Sequence, residues 1–121
     1  MITPGEIRIK NNLVLGAILR YSVDLTLVKI IGRLALLHGV TITEGYRLQR
    51  HDNDLHGVVP VRAIDLRSSD YPDPEAVASE INETWCYDPA RPERKVCILH
   101  DVGQGLHLHV QVHPNTRRIK E

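Results

Sequence analysis

The chain has 121 residues, with 15 Lys and Arg balanced by 15 Asp and Glu, so its formal net charge at pH 7 is zero. This length favours a single domain over residues 1–121. The charge balance argues against nucleic acid and an anionic membrane surface as partners. Four Tyr, one Trp and no Phe are too few aromatic residues for a surface that stacks on bases.

The first third of the chain contains one well-marked helix. Residues 6–20 mix apolar and polar positions without a period, and no particular element is predicted there. Asp24 is suited to cap the start of a helix that ends at His38, with Gly39 as its stop. The apolar residues of this segment recur at helical spacing, which predicts a helix with one face in the core; they include Leu27, Val28, Ile31, Leu34 and Ala35.

The middle of the chain is predicted to hold two strands separated by a long loop. The β-branched segment 40–43 predicts a strand directly after the helix. Residues 45–60 are mostly polar, and a loop of this length in a small domain is often functional. A second strand is predicted from Val61 to Arg67, with Ala63, Asp65 and Arg67 on one face.

The second half adds a helix and a hairpin. Asp73-Pro74-Glu75 predicts a helix start, because Asp caps, Pro suits the first turn and Glu complements the helix dipole. Its buried stripe is predicted to be Val77, Ile81 and Trp85. Strands are predicted over residues 95–100 and from Leu106 onward, joined by a turn at 103–105. The pattern predicts an α+β fold in which two helices pack on one face of a small, largely antiparallel sheet.

The last predicted strand alternates between imidazole and aliphatic side chains. Successive side chains of a strand point to opposite faces, so one face carries His107, His109, Gln111 and His113, and the other carries Leu106, Leu108, Val110 and Val112. We expect the aliphatic face to join the core. The imidazoles would then line a site on the face of the sheet that the helices leave open.

Three residues could close on one metal ion. His56, Asp65 and His109 supply the three protein ligands that a catalytic zinc site uses, with one position left for water. His56 lies in the long loop, and the other two lie on predicted strands that could be neighbours. Two other interpretations stay open at this point. The histidines can form a solvated face, and Asp65 can pair with Arg62 or Arg67.

The remaining features concern the compartment. No signal peptide is recognised at the N-terminus, and the apolar run over residues 25–37 is too short and too charged to span a membrane, since it contains Lys29 and Arg33. We therefore expect a cytoplasmic protein without a membrane span. Cys86 and Cys97 are then predicted to be reduced thiols, although a disulfide between them could form in an oxidising compartment.

The order of these motifs resembles a known family. Gly45-Tyr46-Arg47, His56, Ala63-x-Asp65 and His107-x-His109 are similar to the motifs of the zinc D-Ala-D-Ala carboxypeptidases and L-alanyl-D-glutamate endopeptidases, whose superfamily includes lysostaphin-type enzymes and the Hedgehog signalling domain. The similarity covers roughly residues 24–113. It implies a metallopeptidase-like domain, a Zn²⁺ cofactor, and a peptidoglycan stem peptide or D-Ala-D-Ala-type dipeptide as substrate.

The resemblance implies a role for each matching residue. His56, Asp65 and His109 would be the zinc ligands. His107 would act as the general base, in the place where other members of the family have a Glu. Arg47 would bind the substrate carbonyl or carboxylate and steady developing negative charge.

The interval between the first two ligands departs from the family pattern. It is two residues longer than His-x-x-Gly-x-Ala-x-Asp and has Val61 at the glycine position, which leaves His51 as an alternative first ligand. Arg50 is the alternative cation for substrate binding. His100 and His113 are candidates to orient a ligand imidazole.

The function implied by the resemblance is zinc-dependent hydrolysis of a stem-peptide bond, as a D,D-carboxypeptidase or as an endopeptidase next to D-Glu. Such a protein would be a cytoplasmic dipeptidase or an endolysin that the phage lysis machinery releases to the cell wall. Two other functions stay open: a catalytically inactive relative that serves as a phage structural or cell-wall/peptide-binding module, and a metal-dependent hydrolase of another amide.

Overall fold

The structure, a computed structural model, describes residues 2–101 and 105–119. In chain order the elements are β1 (Ile7–Ile9), α1 (Asn12–Arg20), α2 (Leu25–His38), β2 (Val40–Glu44), β3 (Ala63–Arg67), α3 (Pro74–Thr84), β4 (Trp85–Cys86), β5 (Cys97–Asp101), β6 (Leu106–Gln111) and β7 (Arg117–Arg118). Short 3₁₀ turns occur at Leu55–Gly57 and Ser68–Asp70.

Five strands of the described residues form one sheet in the order β1-β2-β3-β6-β5, and β4 pairs with β7 in a separate ribbon. The pair β1–β2 is parallel, and the other neighbours in the sheet are antiparallel. The predicted α+β fold with a largely antiparallel sheet is therefore confirmed. The structure adds a third helix, α1, to the two that were predicted.

The core lies between the sheet and the helices α2 and α3. Each helix turns an apolar stripe toward the sheet, and alternate strand residues meet it; the buried side chains include Leu27, Ile30, Leu34, Val77, Ile81, Ile42, Leu66, Leu108 and Val110. Asp65, His107 and His109 occupy the other alternation of β3 and β6. The pleat of the sheet thus places the polar residues on the face away from this core.

Capping fixes α2 where the sequence predicts it. The Asp24 carboxylate accepts hydrogen bonds from the backbone N–H groups of Thr26 and Leu27. Gly39 ends the helix at φ +80°, and a Cβ there would collide with the backbone of Thr3. Both predicted ends of α2 are confirmed, because each requires a particular residue type.

Trp85 does not extend the buried stripe of α3. The helix ends at Thr84, and Trp85 is extended and pairs with Arg118 in the β4–β7 ribbon. The carbonyl of Thr84 accepts the N–H of Ile119, so backbone pairing draws the chain out of the helix at this point. Trp85 packs against the edge of the core instead.

The predicted strand ends also shift. Val61 pairs with the segment before α2, and the regular strand starts at Ala63. The fifth strand starts at Cys97, two residues later than predicted. The final strand stops at Gln111, so the later part of its predicted alternation is not strand. The predicted turn at 103–105 lies, apart from Gly105, outside the described residues.

Among the described residues, no helix has both the length and the apolar character that crossing a membrane requires. Both cysteines are free thiols, Cys97 buried and Cys86 half-buried.

Candidate metal centre

Two histidines and a carboxylate converge on the open face of the sheet. His56 Nε2 lies 3.2 Å from Asp65 Oδ1, and His109 Nδ1 lies 2.9 Å from the same oxygen. One ligand atom from each of the three residues falls within 4.8 Å of the others. Asp65 and His109 are direct partners across the β3–β6 pair. These three residues form a group, called the metal group below, that could hold a metal ion.

The outer nitrogen of His56 is Nδ1, which points away from Asp65. Its hydrogen bond fixes which ring nitrogen carries the proton. Its Nδ1 lies 2.7 Å from the carbonyl oxygen of Gly45, which can only accept, so Nδ1 donates. In the neutral ring, Nε2 then has a lone pair, and that lone pair faces Asp65. His56 is fully buried, at 0% exposure. Two acceptors facing each other in a buried site require a cation between them, which can be a metal ion or a second proton on the ring.

The same arrangement holds for His109. The side-chain nitrogen of Gln111 donates to the carbonyl of Lys95 at 2.9 Å, which turns the amide oxygen of Gln111 toward His109. His109 Nε2 therefore donates to that oxygen at 3.1 Å. Its Nδ1 is left as a lone pair toward Asp65. Both imidazoles thus have their outer nitrogen bonded to an oxygen and their inner nitrogen free, as metal-binding histidines do.

The electrostatics of Asp65 favour the ionised form that a metal ligand needs. Burial alone would raise the pKa of Asp65, but a proton that His109 or His56 shares with the carboxylate, and the charge it brings, outweigh burial and hold the pKa well below its ordinary value. Only 6% of Asp65 is exposed. The carboxylate is therefore charged at neutral pH, and its Oδ1 faces both imidazoles.

Zinc fits these donors. Two imidazole nitrogens and one carboxylate oxygen are a ligand set of catalytic zinc sites, and bonds of about 2.0–2.1 Å at tetrahedral angles separate ligand atoms by roughly 3.3 Å. The observed separations of 2.9 and 3.2 Å are close to that value. The residues present therefore fit the group that the sequence predicts.

Asp54 organises the loop that carries His56. Its buried carboxylate accepts hydrogen bonds from the backbone N–H groups of Arg50 at 3.0 Å and His56 at 3.2 Å, and it is ion-paired with Arg47. Burial tends to raise the pKa of Asp54, and these partners lower it more. No sequence pattern predicted a role for Asp54. Its only sequence signal is an Asp two residues before a histidine, which is common in turns.

Close backbone packing also holds this loop. A Cβ at Gly57 would lie 2.6 Å from the Cα of Gln49, so the chain can pass itself here only with glycine. The N–H of Arg47 donates to the carbonyl of His56 at 3.2 Å, and the N–H of Arg62 donates to the carbonyl of Leu55 at 3.3 Å. The first ligand therefore stands on a loop that is fastened at both sides.

Arg47 lines the same cleft but is already paired. Its Nη1 bonds to Asp54, and its Nε lies 3.0 Å from Glu44 Oε1 as an ion pair without hydrogen-bond alignment. These contacts do not engage Nη2. The predicted cation of the site is thus present, with its charge balanced by two carboxylates.

His107 stands beside the metal group. Its Nδ1 donates to the carbonyl of Gly105 at 3.1 Å, which leaves Nε2 as a lone pair 3.6 Å from Asp65 Oδ2. The nitrogen that faces the metal group is therefore the one that can accept a proton.

His100 closes the row of imidazoles. Its ring centroid lies 4.7 Å from that of His107 and 5.4 Å from that of His109. Its Nε2 is buried and has no hydrogen-bond partner. Burial, followed by the neighbouring imidazoles, lowers the pKa of His100 and keeps this ring neutral.

Two sequence candidates lie outside the metal group. His51 is exposed on the rim of the cleft and is not among the residues whose ligand atoms converge. The His113 ring packs against Tyr87 and lies 3.8 Å from Asp88, not beside a ligand imidazole. The longer His-to-Asp interval does not prevent His56 from reaching Asp65.

An open cleft of about 650 Å³ lies over the metal group. The 45–57 loop, the end of β2 and Lys10 bound it on one side, and the β5–β6 pair bounds it on the other. Its lining is mostly polar, with Ile98, Leu55 and Leu106 as the apolar part. A cleft of this size admits a short peptide rather than a large folded partner.

Comparison with known proteins gives no match: no family model, no curated protein and no solved structure is significantly similar to this chain. The assignment of chemistry therefore depends on the site itself.

Proposed function

We propose that the protein is a zinc-dependent peptidase that hydrolyses a peptidoglycan stem-peptide bond. The observation that carries this proposal is that two imidazoles, one buried and one partly buried, turn a ring nitrogen toward one carboxylate oxygen, with a third imidazole nitrogen beside them. A site that only binds a metal ion has no use for the third. Stem peptides are the proposed substrate because of the family resemblance of the motif order.

Each residue has a task in this reaction. Zinc held by His56, Asp65 and His109 would polarise a peptide carbonyl and lower the pKa of a water molecule. His107 Nε2 takes the proton of that water as its oxygen bonds to the carbonyl carbon. The same nitrogen then returns the proton to the amine as the C–N bond breaks, so His107 ends the cycle neutral.

Arg47 stabilises charge rather than moving protons. Its guanidinium has five N–H groups, and the contacts with Glu44 and Asp54 engage two of its nitrogens. Nη2 remains to donate to a carbonyl oxygen or a carboxylate of the substrate. Asp54 contacts both Arg47 and the backbone of His56. It therefore sets the distance between the arginine that would bind the substrate and the first metal ligand.

The test has two stages, both on protein purified without a metal-affinity tag. Elemental mass spectrometry should find about one zinc per chain in the wild type and in His107→Ala, and almost none in Asp65→Ala. Incubation with peptidoglycan and with synthetic stem pentapeptide, followed by mass spectrometry of the products, should show cleavage by the wild type alone.

The His107→Ala variant is the decisive control, because it keeps all three ligands. Zinc binding with full loss of cleavage supports a base at this position, and full activity would remove His107 from the mechanism. Zinc binding without any cleavage by the wild type would instead favour a peptide-binding module. Absence of zinc after reconstitution at neutral pH would contradict the proposal as a whole.

A further inference from the structure

The cleft over the metal group carries more positive charge than its own carboxylates balance. Four cations line it, namely Lys10, Arg47, Arg50 and Arg67. Arg47 is paired with Glu44 and Asp54. Within residues 2–101 and 105–119, the side chains of the other three have no carboxylate partner. A ligand that fills this cleft therefore meets cations that nothing else neutralises.

Arg67 is the best placed of the three. It lies on β3, two residues after Asp65 and therefore on the same face of the sheet. Its Cα partner across the β3–β6 pair is His107. Lys10 and Arg50 are exposed on the rim, whereas Arg67 is half-buried on a central strand. Its backbone is thus held next to that of the proposed base on a rigid element, and its side chain lines the cleft.

Arg47 and Arg67 reach the cleft from different elements. Arg47 comes from the 45–57 loop, and its charge is already balanced. Arg67 comes from β3, and its charge is not balanced by a carboxylate of the described residues. Partial burial strips some water from an unpaired guanidinium, and a carboxylate compensates that loss with two parallel hydrogen bonds. A carboxamide can supply one acceptor oxygen and no charge.

We propose that Arg67 is a specificity-determining residue that binds the free α-carboxylate of D-Glu when the bond next to D-Glu is the one cleaved. The preferred substrate is then a stem peptide whose second residue is D-Glu with its α-carboxylate free, rather than the amidated form, D-isoglutamine. This inference rests on the proposed function for the choice of peptide. The recognition itself rests only on the charge of the cleft.

The test compares two synthetic probes that differ in one group. These are L-Ala-γ-D-Glu-L-Lys-D-Ala-D-Ala and the same pentapeptide with D-isoglutamine at the second position. For the zinc-loaded wild type, the free acid should bind more tightly by calorimetry and have a higher kcat/KM, each by on the order of 10- to 100-fold, as expected for a charge-assisted pair. High salt should reduce the difference.

Arg67→Gln should bring the two probes to within about threefold of each other, and Arg67→Lys should retain part of the preference. Arg62→Gln is the matched control, because it removes an arginine next to the same strand but outside the cleft. Circular dichroism and zinc content establish that each variant is folded and loaded.

The outcomes separate this inference from the proposed function. Tighter binding of the acid probe without cleavage of either probe would overturn the peptidase and leave the role of Arg67 intact. Cleavage of both probes at equal rates, or a preference that survives in Arg67→Gln, would overturn the role of Arg67 and leave the peptidase intact. A wild type that binds neither probe would overturn this inference.

Discussion

His109 can offer Nδ1 to a metal ion only if its proton stays on Nε2, and Gln111 supplies the acceptor that keeps it there. Gln111 is itself held by the Lys95 carbonyl. Replacing Gln111 with Leu removes the acceptor and lets the ring rotate. Zinc affinity should fall about 10- to 100-fold, the usual cost of losing a partner of a metal-bound histidine. Competition with a chelator of known affinity measures this.

Gln111→Glu is the matched control, because its carboxylate still accepts from Nε2. It should keep most of the affinity that Gln111→Leu loses. Equal affinity in all three proteins would contradict the assignment of Nδ1 as the ligand atom of His109. Urea denaturation of the metal-free variants shows whether the change acts on zinc alone.

The two thiols should differ in reactivity. Burial raises the pKa of Cys97 to about 12, so almost none of it is thiolate at pH 8, whereas Cys86 is half-buried. A disulfide-exchange reagent at pH 8 should modify one thiol in the native protein and both after unfolding, and Cys86→Ser should remove the fast one. Because the unfolded thiol ionises near pH 8.5, stability contributed by Cys97 is lost as the pH rises from there toward 12. Equal rates for both native thiols would contradict this.

At the site, sequence reasoning finds side chains by type and misses partners that depend on backbone path. His56, Asp65 and His109 were predicted from ligand chemistry and the alternation of one strand, and the structure brings them together. The carbonyl of Gly45 holds His56 in place, but every residue has a carbonyl, so no pattern marks it. Asp54 was missed for a related reason, since its partners are mainly backbone N–H groups of a loop.

At the level of elements, one side chain ties α3 to the edge of the sheet. Asn82 donates to the carbonyl of Cys97 at 2.8 Å and accepts its N–H at 2.9 Å. β5 is the edge strand next to β6, so among the described residues it has no strand neighbour on its other side. The side chain of Asn82 makes, for Cys97 alone, the two backbone hydrogen bonds that such a neighbour would make. Asn82→Ala leaves both backbone groups without this partner. The free energy of unfolding should fall by about 1–3 kcal/mol, measured by urea denaturation.

Glu83→Ala is the control for this prediction, because Glu83 is the exposed neighbour on the same helix. It should change the free energy of unfolding by less than about 0.5 kcal/mol. If Asn82→Ala is equally mild, then water replaces the side chain at the edge of β5 and the tie carries little energy.

The helices show which signals a sequence carries. α2 and α3 begin at Asp caps and bury one stripe, and both starts were predicted correctly. α1 is capped by Asn11 but buries none of its residues. Its Val14 and Ile18 are half-buried and pack against the core at helical spacing, but exposed leucines around them blur that stripe in the sequence. The predicted end of α3 was wrong. Trp85 has the spacing of the helical stripe, but it pairs with β7, which is distant in sequence, and this pairing overrides the helix.

At the level of the whole molecule, the metal group joins parts of the chain that are far apart. His56 stands on the loop, Asp65 on a central strand and His109 on the strand that pairs with it. Without a metal ion, only a proton can join either imidazole to the carboxylate of Asp65. A divalent cation would replace those shared protons with three metal–ligand bonds. We expect zinc to stabilise the fold and not only the site.

Zinc at about 100 times its dissociation constant should add roughly 2.7 kcal/mol to the free energy of unfolding, which for a domain of this size raises Tm by on the order of 10 °C. Differential scanning calorimetry with and without zinc measures this. Asp65→Asn keeps the shape of the side chain and removes the charge, so its Tm should respond far less. Magnesium should have little effect on the wild type, because it prefers oxygen ligands. In Asp65→Asn the two imidazoles remain, but no carboxylate balances the charge of the ion. A zinc response that persists in this variant would therefore place the bound ion elsewhere.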